Sequence, residues 1–360
     1  MGAKGLVMPL LCTFGSWYNS SGQAERHWRI SSRSNSSPSM MELFTREWQV
    51  FLPPRQSVVL QVCPALCFLA VALVVPLVLA KVFSTPRLRQ ETRYLLLANT
   101  LLSDLLFVSV YLLTTSFNAA GVSTAEWTCA ALLFLLGVFY SAGLLSAKAM
   151  LLDTMLAVLA PLRYLALWPV SRTRRAIGAV WAASVILPAA TVAMFLWHYM
   201  EDPCGSHVCS LPVLLVLTVG YSAPMRVSML LTVAGVLLVL LLVLSGYVLL
   251  YCRTKRSGVW RGEHTSRARG TFLIHYLHLL LSLCPMLVLA VELLLCSRPS
   301  RSVDLRANLW VSLVLCNVLL LLPKALAPYL YGLRYRDLDL CSTLLTFYRL
   351  KRPAAVAPVT

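Results

Sequence analysis

Apolar residues occur along this chain in long blocks separated by short polar segments. Seven blocks are long enough to cross a membrane, because a bilayer core of about 30 Å needs roughly 20 apolar residues in a helix. We name them span one to span seven, and they cover about 57–83, 94–117, 130–152, 176–197, 227–252, 271–296 and 308–333. The pattern predicts an all-α, seven-transmembrane helix bundle over 57–333, with a polar tail at 1–56 and a short segment at 334–360.

Composition and charge agree with a membrane protein. Apolar residues make up 59% of the chain and the mean hydropathy is +0.75, well above the values of a soluble domain. The net charge of +17 would suggest a nucleic-acid partner in a soluble protein, but here the basic residues concentrate in alternate loops. These loops are expected to be cytoplasmic, which places the N-terminus outside the cell. We therefore expect a multi-pass protein of the cell membrane whose basic residues meet the lipid bilayer and no nucleic acid.

Several residues fall where the compartment permits modification. The external tail contains two glycosylation sequons, at Asn19 and Asn35. Cys129 opens span three on the external side, and Cys204 and Cys209 lie in the next external loop, where disulfides can form. We predict that Cys129 pairs with Cys209, which lies nearer span five, with Cys204 as the alternative.

The segment after span seven alternates charged and apolar residues over 334–341. This pattern predicts a short cytoplasmic amphipathic helix lying at the membrane surface. Cys341 in this segment is a candidate for palmitoylation, with an unmodified thiol as the alternative.

Ionisable residues inside a membrane span cost about 2.5 to 3.5 kcal/mol each on insertion scales, so each needs a partner or a function. Four are clearly inside the spans: Asp104, Lys148, Glu292 and Lys324. Lys148 lies near the cytoplasmic end of span three, where its side chain can reach the interface. Glu292 lies near the external end of span six, where a rim ion pair is favoured over a ligand contact.

The chain has no pattern typical of an enzyme or of a cofactor site. His275 and His278 lie one turn apart on span six, but they have no carboxylate or cysteine mate that would indicate a metal site. No phosphate loop, zinc-protease helix or dinucleotide fingerprint occurs. A transporter is disfavoured because no inverted repeat is visible.

A set of landmarks in the spans resembles the rhodopsin-like (class A) G-protein-coupled receptors over roughly 57–341. The landmarks are Asn99 and Asp104 in span two, Trp127 and Cys129 before span three, Asp153, Thr154 and Met155 followed by 161–164, Trp181 in span four, the kink proline Pro285 in span six, and 328–331 in span seven. Three longer strings, at 88–104, 266–275 and 322–336, are similar to one orphan branch of that family and to related fish odorant-receptor-like sequences. The resemblance implies an orphan receptor with an unknown ligand, and a heterotrimeric G protein as its partner.

The chain departs from the family pattern at the positions that carry activation. Thr154 stands where the family has the arginine that engages the G protein, Leu283 where it usually has a tryptophan, and Ala327 where it has asparagine or aspartate. The resemblance implies that the coupling cleft is framed by Asp153, Thr154, Arg267, Arg269 and Tyr331. Because Thr154 replaces the arginine that engages the G protein, we expect weak coupling to that partner. Thr154 and Ala327 also favour an alternative, a non-signalling or partner-modulating seven-helix protein.

The resemblance makes spans two and seven neighbours, so that Asp104 and Lys324 would face one polar pocket. An ion pair there would cancel two charges that would otherwise be buried alone. The positions expected to join Asp104 in a sodium site read Gly143, Pro323 and Ala327, none of which has a side-chain oxygen. We predict that the Lys324 ammonium takes the place of the sodium ion.

The predicted ligand pocket is mostly apolar. Leu136 occupies the point on span three where aminergic receptors carry an aspartate, which disfavours a biogenic amine. Tyr140 and Asn317 are candidate polar contacts, and Glu292 is a candidate at the external rim. A small apolar ligand, a lipid or an odorant would fit such a pocket, and so would no ligand at all.

Overall fold

The computed structural model describes residues 54–120, 126–159, 169–201 and 305–334, most of 273–288, and single positions between 234 and 252. Regular structure in this part of the chain is helical. The long helices run from Pro54 to Ser84 (span one), Thr92 to Ala119 (span two), Glu126 to Leu159 (span three), Val170 to Glu201 (span four) and Leu305 to Arg334 (span seven). A linker helix, Pro86–Arg89, joins spans one and two, and Tyr276–Pro285 forms an apolar helix in span six.

Several predicted sites lie outside the described residues, as does nearly all of span five. These sites are Asn19, Asn35, Cys204, Cys209, Arg267, Arg269, His275, Glu292 and Cys341, together with the amphipathic segment after span seven.

Four of the described helices are long and apolar enough to cross a membrane: Leu60–Ser84, Thr92–Ala119, Trp127–Thr154 and Val170–Ala193. Helices suit the membrane interior because their backbone N–H and C=O groups bond to each other, and lipid offers these groups no other partner. The helices of spans one to four and seven begin and end a few residues beyond the predicted spans. The apolar run marks only the part of a helix in lipid, and the backbone hydrogen bonding continues past it.

Span one is apolar on both faces, but the two faces differ in residue type. Five valines at helical spacing are buried in the bundle: Val71, Val74, Val75, Val78 and Val82. The opposite face exposes Val62, Leu66, Leu69 and Leu73, each by more than half of its surface. The buried face packs against spans two and seven. The exposed face therefore meets lipid, which accepts apolar side chains as readily as the interior does.

Span two is the most enclosed helix of the described part. It packs against spans one, three, four and seven, and every residue from 94 to 101 is buried. Five of its small hydroxyl side chains donate to carbonyls of the same helix, for example Ser103 Oγ to the Asn99 carbonyl at 2.8 Å. Span two therefore brings any polar side chain in its middle into the centre of the bundle.

Spans three and four approach each other closely at one glycine. A Cβ atom at Gly137 would lie 2.8 Å from Cβ of Pro188, which is closer than carbon atoms pack. Gly137 therefore allows the contact that sets span four against span three.

Candidate functional site

Asp104 lies in the middle of span two and is almost fully buried. Lys324 of span seven donates from Nζ to Asp104 Oδ1 at 2.6 Å, and the exposed fractions of the two side chains are 7% and 3% respectively. The structure thus brings together two charged residues that are 220 positions apart in the chain. Neither charge has access to water, so each depends on the other for compensation.

Two aromatic rings flank the Lys324 ammonium. Its Nζ lies 4.7 Å from the centroid of the Phe107 ring and 5.3 Å from that of Tyr140, within the range of a cation–π interaction. Phe107 comes from span two, one turn after Asp104, so both project from the same face of the helix. Tyr140 comes from span three.

Gly143 of span three closes the remaining side of this cluster. A Cβ atom added there would lie 3.0 Å from Asp104 Oδ1 and 3.3 Å from Lys324 Nζ. The absence of a side chain at this position therefore makes room for the ion pair. We call Asp104, Phe107, Tyr140 and Gly143 the cation cage, and the Lys324 ammonium is its occupant.

Side-chain hydrogen bonds also join span six to spans three and seven. The Tyr140 hydroxyl donates to the Ser282 carbonyl at 2.7 Å, which links span three to span six. The Tyr331 hydroxyl lies 3.2 Å from His278 Nδ1, which links span seven to span six, and both residues are buried. His278 and Ser282 are one turn apart, so they present these contacts from one face of span six. An outward movement of span six would have to break both bonds.

A second polar network joins spans two, three and four. Asn99 accepts a hydrogen bond from Trp181 Nε1 at 2.9 Å and donates from Nδ2 to Ser146 Oγ at 2.7 Å. The Trp181 ring also meets Phe139 edge to face at 6.1 Å. Asn99 and Trp181 are two of the family landmarks, and the structure shows that they bond each other.

Asp153 and Thr154 lie on the span-three helix, which continues to Leu159. Asp153 is buried, and the Thr154 hydroxyl donates to the Met150 carbonyl of its own helix at 2.8 Å. Tyr331 is also buried, in contact with His278. These three are the described members of the predicted coupling set, since Arg267 and Arg269 lie outside the described residues.

At the other end of span three, Cys129 is buried and disulfide-bonded. Both candidate partners lie outside the described residues, so the choice of Cys209 stays a prediction. Trp127 lies on the helix and is 74% exposed.

Three of the candidate pocket residues are described. Leu136 and Tyr140 lie one turn apart on span three, and Leu136 is completely buried. Asn317 of span seven is buried, and its Oδ1 has no hydrogen-bond partner among the residues that the structure describes. Asn317 therefore offers a buried acceptor two turns from Lys324 on the same helix.

The predicted kink proline of span six, Pro285, is buried at the end of the described helix of that span.

Membrane-crossing helices around a buried ion pair define a multi-pass helical membrane protein. The model of the family described as 7 transmembrane receptor (rhodopsin family) matches residues 75–331. The chain is also 31% identical over 269 residues to "Probable G-protein coupled receptor 148" of Homo sapiens, covering 73% of this chain and 75% of that protein. The chain therefore belongs to the rhodopsin family of seven-transmembrane receptors, and the prediction drawn from its landmarks is confirmed.

Sequence reasoning did not find every residue of the site. The spacing of Asp104 and Phe107 on one helix face was a usable signal for the aromatic side of the cage. The contact between His278 and Tyr331 has no such signal, because it joins two helices and no spacing along either one encodes it. In the sequence Gly143 is informative for the side-chain oxygen it lacks, whereas the structure shows that its importance lies in the space it leaves.

Proposed function

We propose that this chain is an orphan receptor that transduces an external stimulus to a cytoplasmic heterotrimeric G protein, with weak coupling. Membership of the rhodopsin family is the observation that carries the proposal. It implies a seven-span bundle with an external N-terminus in the cell membrane. The stimulus would act by shifting the bundle between two packings, with span six as the moving element.

The contacts of span six support this mechanism. Its bonds to Tyr140 and Tyr331 come from two different spans, and both would be lost together if span six moved outward. A buried hydrogen bond contributes about 1 kcal/mol, so the pair stabilises the packed state without locking it. A ligand with a few kcal/mol of differential affinity could shift such an equilibrium.

The altered motif at the cytoplasmic end is the reason to expect weak coupling. A threonine in place of arginine removes five N–H donors and a positive charge. The Thr154 hydroxyl is bonded to its own helix, so it offers no long cationic arm to a partner. Arg267 and Arg269, near the start of span six, are the remaining basic residues that we assign to the cleft.

Replacing Thr154 with arginine tests this proposal. The variant should raise guanine-nucleotide exchange on receptor-containing membranes at least roughly fivefold, the effect of about 1 kcal/mol of added coupling. Leu152→Arg is the matched control, since Leu152 is 57% exposed and lies on another face of the same turn of span three. It adds the same charge at the same depth and should leave exchange unchanged.

A second candidate is a non-signalling or partner-modulating seven-helix protein, which the bonded hydroxyl of Thr154 favours. If Thr154→Arg reaches the cell surface in normal amount and exchange stays at the background of untransfected membranes, this second function is the better account.

We further propose a small apolar or odorant-like ligand. The described residues that we assign to this pocket are Leu136, Tyr140 and Asn317, and all three are buried. A screen of such compounds against the Thr154→Arg variant, in which coupling should be stronger, tests the ligand class. Activation by a biogenic amine alone would contradict it.

A further inference from the structure

We infer that the cation cage is a binding site for a primary alkylammonium group, which Lys324 fills as a ligand tethered to span seven. The inference concerns what the cage binds and does not depend on G-protein coupling. It rests on the donors, acceptors and space around Lys324 Nζ.

The cage matches an organic ammonium group on each side. One N–H of Lys324 bonds to Asp104 Oδ1 at 2.6 Å, and the rest of the ammonium group lies against the rings of Phe107 and Tyr140. A carboxylate beside aromatic faces is the arrangement by which proteins recognise alkylammonium groups. A hard metal cation would instead need several oxygen ligands, whereas the cage presents the Asp104 carboxylate beside two ring faces and a glycine.

The Asp104 carboxylate has a second oxygen to which the Lys324 ammonium does not bond. Asp104 Oδ2 is buried and has no hydrogen-bond partner among the described residues. The tether fixes Lys324 Nζ against the other oxygen. A free ammonium group is not restrained in this way and can lie between both oxygens.

The cage is also limited in size. A Cβ atom at Gly143 would press on both Asp104 Oδ1 and Lys324 Nζ, so the space holds an ammonium group with little to spare. Shortening Lys324 to alanine removes its last three carbons and Nζ, which is the volume of propylammonium. The shortened variant should therefore contain a preformed site for that ion.

The test is chemical rescue of Lys324→Ala by propylammonium, using the full chain both in cells and purified in detergent. The ion is supplied during expression as well as after purification, so that a variant that does not fold unaided is still measured. We expect propylammonium to raise surface expression severalfold and to raise the Tm by at least about 2 °C, because a ligand that binds only the folded state stabilises it.

Four control variants make the result specific to the cage. Lys324→Met fills the same space with an uncharged side chain and should not respond. Lys324→Ala combined with Asp104→Asn should lose the response, because the anion is gone. Lys324→Ala combined with Gly143→Ala should respond less, whereas combination with Gly178→Ala should respond fully, since a Cβ at Gly178 meets nothing within 4 Å.

The inference is overturned if Lys324→Ala shows no rescue in either setting. It is equally overturned if propanol or sodium chloride at the same concentration rescues as well as propylammonium, because the site would then recognise volume or ionic strength and not an ammonium group. Absence of coupling in the parent protein, with the rescue of Lys324→Ala intact, would count against the proposed receptor function and not against the cage.

Discussion

Breaking the ion pair between Asp104 and Lys324 should destabilise the protein more than replacing any exposed charged residue. Three variants define the experiment: Asp104→Asn, Lys324→Gln and the double change. Each single change leaves one buried charge without its partner. The double change leaves two neutral groups that can still hydrogen-bond, so it should recover much of the loss.

The magnitude follows from the geometry of the pair. At a separation of 2.6 Å, the attraction is about 6 kcal/mol for an effective dielectric constant of about 20. Desolvation costs several kcal/mol for each ion, so the intact pair contributes little net stability. Removing one partner typically costs about 3 to 5 kcal/mol, because the other charge stays buried alone. The two single losses therefore share one cause and should not add.

Thermal unfolding of receptor purified in detergent measures the effect, with surface expression as a second readout. We expect the coupling between the two positions to be about 2 kcal/mol or more. The exposed pair of Arg93 and Glu91, with Nε to Oε2 at 3.2 Å, is the matched control and should show a coupling near zero. Purely additive losses at Asp104 and Lys324 would refute the reasoning, as would a coupling no larger than that of the exposed pair. Added sodium should have little effect on the parent protein.

Two further predictions concern other parts of the bundle. Peptide mapping under non-reducing conditions should recover Cys129 linked to Cys209, and a link to Cys204 would show that the other loop cysteine was the partner. Trp181→Phe keeps an aromatic ring against Phe139 but leaves the oxygen of Asn99 without its donor, so the free energy of unfolding should fall by about 1 kcal/mol or more. Phe139→Leu, which keeps that hydrogen bond, is the comparison, and an equal loss in both variants would mean that ring packing and not the bond is responsible.

The sequence alone was enough to locate the described membrane helices, because the length and apolarity that a helix needs to cross lipid are local properties. The same holds for the family, whose landmarks are short strings at fixed spacing. The sequence also restricts how the buried charged residues can be arranged. Asp104 and Lys324 cannot both lie inside a membrane uncompensated, so the sequence predicts their pairing as soon as the family resemblance makes spans two and seven neighbours.

The rotation of each helix about its own axis was decided only by the tertiary structure. In water the polar face of a helix identifies its exposed side, but in lipid both faces of span one are apolar, and only packing selects its valines for the interior. The contact of Tyr331 with His278, the bond from Tyr140 to Ser282 and the space at Gly143 all depend on such rotations. They join residues on different helices at distances of a few ångströms, which no spacing along a single helix encodes.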